Sequence, residues 1–455
     1  MTKIEIKSRS FELLRISLPM AIEHISVSLM SVVSAMLMSS ISEYATSALG
    51  MVDAVTHLIL ALFAALTTGG TIVVAQYIGR GDRKAAKQAG GQAIVLSAVL
   101  SLAIFALIAI FRNQILAFLF SDANPQILAD ANTFLMVVNF SYPVVAVTLT
   151  MFGLIRGSGD TFAPMLISVF MNIINLVLGF ILIRGLNLGF VVIPSFGIYG
   201  AAWALVIAKI FGLAGCSWYL FKKAKGIRLN KISYFKADFD MQKRILRLGM
   251  PTSFESGLFQ VGRLITVIIV ASFSVAAIAT NTIASSLINF VNVPGMAFAT
   301  GAMILVGQRV GRGEENDVVK TAMFSLMMSF VVLVALGGLL IIFRNPIFSM
   351  FNPSQETMQY LPTLFITYII IAPFVWPASF VLPSCLRATG DVVYPMAVAI
   401  STMIGVRLLF SYILGIHFGM GIFGVWAAMY LDWVARASFF IPRILRGKWK
   451  GKSIK

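Results

Sequence analysis

The sequence predicts an all-α, polytopic membrane protein of twelve transmembrane helices, arranged as two homologous six-helix lobes around a central cleft. Composition is the first observation behind this prediction, since 59% of the 455 residues are hydrophobic and 12% are charged. A water-facing domain cannot bury so much apolar surface, so we expect lipid to be the solvent of this chain. The second observation is a series of apolar runs of about twenty residues, the length that crosses a bilayer core. The third is an internal repeat.

Twelve apolar runs can be placed along the chain. Their approximate cores are residues 12–38, 47–77, 92–111, 131–154, 163–183, 197–221, 248–272, 280–307, 321–343, 359–384, 394–415 and 421–441. Lipid offers the backbone no hydrogen-bond partners, and these runs are longer than the alternating segments of a barrel, so each is expected to be a helix. The first run carries Glu23 and His24 inside a long span, and we interpret it as a retained helix, not as a cleaved signal peptide.

Basic residues are concentrated in alternate connections between the spans. The net charge of +17 is also typical of nucleic-acid-binding proteins, but this distribution favours a membrane topology and no nucleic acid as partner. The basic connections carry Lys3, Lys7, Arg9, Arg15, Arg80, Arg83, Lys84, Lys87, Lys222, Lys223, Lys225, Arg228, Lys231, Lys236, Lys243, Arg244, Arg247, Arg443, Arg446, Lys448, Lys450, Lys452 and Lys455. The opposite connections carry little beyond Arg112, Arg184 and Arg344. We therefore expect an inner-membrane protein with both termini in the cytoplasm.

An internal repeat divides the chain into two halves. Three pairs of segments recur in the same order: LPMAIE and MPTSFE, AQYIGRGD and GQRVGRGE, LIRGSGD and CLRATGD. The first two pairs are each 232 residues apart, and the third is 231 residues apart. We expect lobes at 1–221 and 245–443, a basic cytoplasmic linker at 222–244 and a basic cytoplasmic tail at 444–455. Six spans per lobe give both lobes the same orientation in the membrane.

The glycine-rich repeats are interpreted as tight cytoplasmic turns. GRGD and GRGE lack the GxxxxGK[ST] spacing of a phosphate-binding loop. Glycine permits a positive φ, and Asp82 or Glu314 can cap the helix that follows. The turns RGSGD and RATGD are interpreted in the same way, with Asp160 and Asp391 at the starts of spans five and eleven.

Acidic residues inside the spans are the main candidates for chemistry, because a charge at the bilayer centre costs about 2.5–3.5 kcal/mol even on the gentlest scale. Glu23 and Glu255 lie near the midplane of spans one and seven, and each follows a proline by four residues. A desolvated carboxylate can exchange a proton or bind a cation, which suits coupling to an ion gradient. Asp53, a few residues into span two, is a third candidate.

The sequence leaves a structural alternative open for these glutamates. Each of them can simply bond a neighbouring helix, with His24, Arg263 or Arg407 as the candidate partner. Asp432 and Arg436 are one helical turn apart and are interpreted as an intrahelical ion pair.

Other side chains are candidates for lining a cavity. Asn172 and Asn175 in span five are placed there, although such residues more often bond other helices. The 36 phenylalanines and 23 methionines can form an adaptable pocket for organic cations.

These segments, together with the closing WAAMYLDWVARA and RGKWKGK, resemble the multidrug and toxic compound extrusion (MATE) family of transporters over essentially the whole chain. The resemblance implies two lobes, alternating access and multidrug efflux by antiport: cationic or amphipathic drugs and metabolites are exported in exchange for Na⁺ or H⁺. It implies no cofactor beyond the coupling ion. The expected partners are a small-molecule substrate and the lipid bilayer, and we expect a monomer.

The resemblance extends to single positions and also fails at some. Glu255 matches the acidic residue of span seven that is thought to serve the cation site of the C-terminal lobe, and is therefore a candidate ligand for Na⁺. Asn172 matches the asparagine of span five. The aspartate typical of span one is replaced by Ser34, that of span five in some members by Leu176, and span ten has no carboxylate. Either Glu23 takes over the N-terminal role, or coupling rests mainly on Glu255.

Two other functions remain open from the sequence. A flippase for lipid-linked saccharides would need a basic cavity, for which Lys209, Arg263, Arg407 and Arg436 are available in the spans. A membrane-embedded enzyme is the remote alternative, since the chain has three histidines and no serine or cysteine nucleophile beside a base.

Overall fold

A computed structural model describes residues 3–39, 43–120, 124–187, 192–224, 226–351 and 353–453. The helices of the first half are α1 Lys3–Ser39, α2 Glu43–Arg80, α3 Arg83–Leu119, α4 Pro125–Asn139, α5 Ser141–Gly157, α6 Phe162–Arg184 and α7 Gly197–Trp218. Those of the second half are α8 Phe239–Ala271, α9 Val275–Arg312, α10 Glu315–Ile342, α11 Arg344–Ser349, α12 Gln355–Ala388, α13 Val393–Thr402, α14 Leu409–Tyr412 and α15 Gly421–Leu445. The predicted all-α class is confirmed.

Short elements complete the described chain. Strands β1 Leu186–Asn187 and β2 Val192–Ile193 pair antiparallel as a small hairpin. A 3₁₀ turn covers Ile232–Phe235, and π-helical turns cover Tyr219–Lys223, Met403–Leu408 and Ile413–His417. The last two π-helical turns flank α14, so the predicted span at 394–415 is not the uniform α-helix that its apolar run suggests.

Ten helices in the described ranges are long and apolar enough to cross a membrane, and an eleventh candidate is the bent pair of α4 and α5. The predicted span at 131–154 was wrong as a single helix, because the two segments meet at an angle of 50°. Pro143 in the first turn of α5 has no N–H to continue the α4 ladder, which accounts for the break. The twelfth predicted span corresponds to α15, which is not among these candidates and carries Asp432 and Arg436 in its buried face.

The described chain divides into two compact units. The N-terminal unit consists of Ile22–Ile78 and Asp82–Met250, and the C-terminal unit consists of the described residues up to Ala21, Gly79–Gly81 and those from Pro251 onward. The division therefore falls inside α1 and inside α8, close to the repeated prolines. The lobe boundaries drawn from the repeat stay predictions.

Each unit has its own apolar core. Phe63 and Tyr142 lie fully buried in the N-terminal unit, where the Tyr142 hydroxyl lies 3.0 Å from Thr56 Oγ1. Phe365 and Tyr368 are fully buried in the C-terminal unit. The apolar side chains left exposed on the outer faces of the helices are numerous, as expected of surfaces that lie against lipid.

The first repeated turn has the predicted positive-φ glycine in both halves. Gly81 and Gly313 have φ values of +79° and +77°, which glycine adopts without strain. Asp82 accepts a hydrogen bond from the Ala85 backbone N–H at 2.9 Å and so caps α3, as predicted. Glu314 does not cap α10. Its longer side chain instead reaches Arg312, with an N–O distance of 2.9 Å.

The linker between the halves is fastened to α3. Gln92 donates through Nε2 to the carbonyl oxygens of Tyr234 at 3.0 Å and Lys236 at 2.6 Å. These hydrogen bonds hold part of the predicted linker against α3, so this part belongs to the N-terminal unit. Lys225 of this segment, like Lys455 at the end of the tail, lies outside the described residues.

The basic tail folds onto the second repeated turn. Asp391 is buried and accepts from Arg443 Nε at 2.9 Å and from Lys452 Nζ at 2.7 Å. In the first half the hydroxyl of Tyr219, at the end of the sixth span, donates to Asp160. Each half therefore ties the end of its last span to the aspartate of its RGSGD-type turn.

Glycines bring the backbones of α2 and α8 close together within the N-terminal unit. A Cβ atom at Gly249 would lie 1.9 Å from the carbonyl oxygen of Ala65, and one at Gly69 would lie 2.3 Å from that of Ile245. Small residues are the usual means of such close helix packing in membranes.

We predict that Gly249→Ala destabilises the protein by about 1–3 kcal/mol, since the methyl group overlaps backbone that cannot move away. Gly257→Ala is the matched control in the same helix, because nothing lies within 4 Å of its Cβ position. Alanine there should be neutral or stabilising. Thermal unfolding of both variants in detergent tests the difference, and equal midpoints would contradict the close crossing.

Candidate functional site

The two repeated glutamates form equivalent ion pairs. In the N-terminal unit Glu23 of α1 accepts a short charged hydrogen bond from Arg156 Nη2 at the end of α5. In the C-terminal unit Arg387 Nη2, at the end of α12, donates to both carboxylate oxygens of Glu255 of α8 at 2.6 and 2.7 Å. The side chains of all four residues are at most 15% exposed, so both pairs lie largely away from solvent.

The arginine partners were missed by the reasoning from sequence. His24, Arg263 and Arg407 were the candidate partners, and none of them forms a salt bridge with either glutamate in the described chain. Arg156 and Arg387 belong to RGSGD and RATGD, which were interpreted only as turns. A signal was present, because a repeated acid and a repeated base both recur across the two halves.

Both pairs keep polar atoms without a hydrogen-bond partner. Among the described residues these are Glu23 Oε2, Arg156 Nε and Arg387 Nε, all buried. Buried polar atoms are nearly always hydrogen-bonded in native proteins, so each exception points to a missing partner. For Glu23 Oε2 that partner can be a proton, a cation or a donor such as water, whereas the two guanidinium N–H groups need an acceptor.

A cavity of about 490 Å³ lies further along α8 in the C-terminal unit. Glu255, Phe259 and Arg263 are spaced by four residues and so follow one face of α8. Phe259 and Arg263 both line the cavity, together with Arg407 of the neighbouring π-helical turn. Phe259 therefore stands between the ion pair and the cavity.

Aromatic and charged groups converge around Phe259. The guanidinium groups of Arg407 and Arg436 lie 5.8 and 5.6 Å from the centre of its ring. Arg436 Nε donates to Asp432 Oδ1 at 2.9 Å, with both residues buried, which confirms the predicted intrahelical pair. Asp432 Oδ2 and Arg407 Nε have no hydrogen-bond partner among the described residues.

Two asparagines of the cavity wall accept hydrogen bonds from aromatic residues through their side-chain oxygens. Trp426 Nε1 donates to Asn281 Oδ1 at 3.2 Å, and the Tyr368 hydroxyl lies 2.7 Å from Asn292 Oδ1. The indole N–H can only donate, so the Asn281 oxygen faces it and the amide nitrogen is left as a donor.

The family model MatE matches residues 19–181 and 251–413, one match for each half of the repeat. The chain belongs to the MatE family. This is a family of transporters, and the remote alternative of a membrane-embedded enzyme receives no support from it.

Curated relatives align with this MatE chain along nearly its full length. The chain is 26% identical over 430 residues to the uncharacterized transporter YisQ of Bacillus subtilis, covering 94% of this chain and 92% of the relative. It is 25% identical over 455 residues to the probable multidrug resistance protein NorM of Thermotoga maritima, covering 99% and 96%. A solved structure described as an outward-facing multidrug resistance MATE family transporter of the MOP superfamily shares the fold, with a TM-score of 0.89, 20% identity and coverage of 98% and 97%.

The other predicted site residues are spread over the N-terminal unit. Asn172 of α6 donates to Ser26 Oγ of α1 at 2.9 Å, three residues after Glu23. Asn175 is half-buried on the same helix, whereas Asp53 is exposed on α2 and forms no salt bridge within the described ranges. The structure thus brings Asn172 near the helix of Glu23 and leaves Asp53 apart. Their roles in coupling and in the cavity stay predictions.

We predict that Glu255 and Arg387 are energetically coupled. Arg387→Ala leaves a desolvated carboxylate without its partner and should destabilise the protein by about 3–5 kcal/mol. The double variant Glu255→Ala, Arg387→Ala should be more stable than the sum of the single variants predicts, as a double-mutant cycle of thermal unfolding would show.

The matched control is the exposed pair of Arg312 and Glu314 in the same unit, with an N–O distance of 2.9 Å and exposures of 41% and 42%. An exposed pair is expected to contribute about 0–1 kcal/mol. Equal coupling in the two cycles would show that burial adds nothing to the Glu255 pair.

Proposed function

We propose that the protein is a secondary active antiporter that exports amphipathic small molecules in exchange for Na⁺ or H⁺ by alternating access. Membership of the MatE family supports transport. The duplicated glutamate–arginine pair is the observation that supports ion coupling, because it places an ionisable carboxylate at the same position of both halves. The names of relatives, which describe multidrug resistance proteins, support efflux.

The ion pair provides a chemical basis for coupling. A proton that neutralises Glu255, or a Na⁺ that binds it, competes with the guanidinium of Arg387 for the same two oxygens. Binding of the coupling ion therefore weakens the link between α8 and α12. Release of the ion restores the Glu255–Arg387 pair, so one ion controls one contact between α8 and α12.

The N-terminal unit repeats this arrangement with Glu23 and Arg156. Ser34 replaces the aspartate that is typical of span one. We propose that Glu23 takes over the role of that aspartate and that Asp53 contributes near the membrane surface. Asn172 and Asn175 are proposed to offer polar groups to the substrate path. No cofactor other than the coupling ion takes part.

The gradient supplies enough free energy for export. One charge that moves through 100 mV releases about 2.3 kcal/mol, which sustains a concentration ratio of roughly fifty-fold. The proposed setting is the cell inner membrane, with a monomer whose termini face the cytoplasm.

A flippase for lipid-linked saccharides is the second candidate function. Arg263 and Arg407 in the cavity wall favour it, because a pyrophosphate needs basic partners. Arg436 is already paired with Asp432, and Lys209 lies in α7 of the other unit.

The test is dye export from proteoliposomes with a sodium gradient and a pH gradient imposed separately. Rhodamine 123 serves as a cationic dye and fluorescein as an anionic one. We expect one gradient to drive export of at least one dye, and Glu255→Gln to reduce that rate by at least about tenfold, since the amide cannot bind the coupling ion. Glu23→Gln should also reduce it, because Glu23 is proposed to take over the N-terminal carboxylate role.

Glu356→Gln is the control for loss of one acidic charge, because Glu356 is exposed at the start of α12. It should leave export unchanged. If neither gradient moves either dye while lipid-linked saccharides are flipped, antiport is overturned and the flippase takes its place.

A further inference from the structure

The C-terminal cavity presents hydrogen-bond donors and positive charge. Arg263 and Arg407 both line it, and no carboxylate is among the described residues of its wall. Asn281 receives the Trp426 indole N–H on its oxygen, so its amide nitrogen remains as a further donor. A ligand in this cavity is therefore met by donors and cations.

The charges of the surrounding residues do not cancel. Arg387 neutralises Glu255, and Asp432 compensates the adjacent Arg436. Arg407 and Arg263 are left without a salt bridge in the described chain, and Arg407 Nε is buried without a hydrogen-bond partner. Positive charge inside a membrane span is costly and is commonly retained for function.

The repeat shows that these charges are not part of the shared scaffold. With the 232- and 231-residue separations of the repeat, Arg263 is equivalent to Ser31 and Arg407 to Leu176. The glutamate–arginine pair is kept in both halves, whereas the two cavity arginines occur in one. They are a specialisation of the C-terminal unit.

From these observations we infer that the cavity binds an anionic amphiphile, with Arg263 and Arg407 holding its acidic group and the indole rings of Trp376, Trp426 and Trp433 contacting an aromatic body. Guanidinium groups bind carboxylate and phosphate in a forked geometry, and they stack on aromatic planes. The cavity of about 490 Å³ accommodates a small aromatic molecule. The inference rests on the proposed function, since it names the class of cargo.

The experiment measures binding of two dyes that share the xanthene ring system and differ in charge. Full-length protein in phosphatidylcholine nanodiscs is titrated against fluorescein, under conditions where it is a dianion, and against cationic rhodamine 123, with fluorescence anisotropy as the readout and empty nanodiscs subtracted. Fluorescein should bind at least about tenfold more tightly than rhodamine 123.

Variants identify the groups that are responsible. Arg263→Gln and Arg407→Gln should each weaken fluorescein binding by about tenfold or more, without weakening rhodamine 123. Arg407→Lys, which keeps the charge, should lose less. Arg184→Gln removes one exposed positive charge from the other unit and should change neither affinity.

Two results overturn the inference: rhodamine 123 binding at least as tightly as fluorescein to the wild-type protein, or unchanged fluorescein affinity in correctly folded arginine variants. The comparison of dyes on wild-type protein needs no variant to fold. Nanodiscs made of equal parts of phosphatidylcholine and phosphatidylglycerol distinguish a soluble anion from an anionic lipid headgroup as the ligand. Unchanged fluorescein affinity supports a soluble aromatic anion, and a tenfold loss assigns the cavity to an anionic lipid headgroup instead.

Binding is measured without any gradient, so its failure is distinct from failure of antiport. A protein that binds fluorescein but transports no dye under either gradient overturns antiport alone. One that exports rhodamine 123 and does not bind fluorescein overturns the anionic cargo alone.

Discussion

A carboxylate inside a membrane span has to be neutralised, and in each half of this chain an arginine from another helix does so. The penalty for an unpaired charge at the bilayer centre, about 2.5–3.5 kcal/mol on the gentlest scale, is comparable to the loss when one partner of a buried pair is removed. The pairs Glu23–Arg156 and Glu255–Arg387 therefore fix which faces of α1 and α5, and of α8 and α12, meet. A weakened pair loosens a helix contact, and in the proposed antiport the coupling ion acts on this bond.

The two halves share this frame and differ in what they add to it. In both halves, the aspartate in the turn after the paired arginine accepts a hydrogen bond from a side chain at the end of the last span. The C-terminal half adds two arginines beside an aromatic cavity, where the repeat has Ser31 and Leu176 in the first half. A duplicated scaffold can keep its helix contacts in both copies while one copy acquires binding chemistry, because the scaffold depends on the ion pair and the cavity wall does not.

The fold could be predicted because lipid imposes one rule on every span, namely that an apolar run of sufficient length is helical. That rule says nothing of rotation about a helix axis, so the partner of Glu255 was sought among nearby bases and not at Arg387, 132 residues away. The break between α4 and α5 lies inside a continuous apolar run, in which Pro143 was the overlooked signal. The donor polarity of Asn281 depends on an indole 145 residues distant, which no local pattern contains.

An anionic cargo changes what exchange requires of the protein. A cationic drug and a coupling ion exclude each other by competing for one carboxylate, but an anion beside Arg407 is not repelled by a cation on Glu255. Exchange must then come from geometry, with the cargo and the coupling ion stabilising different packings of α8. Phe259 lies one turn from Glu255 and one turn from Arg263, and its ring faces Arg407 at 5.8 Å. It is the residue through which occupancy of the cavity can act on the ion pair, because it lines the cavity and lies on the same face of α8 as Glu255.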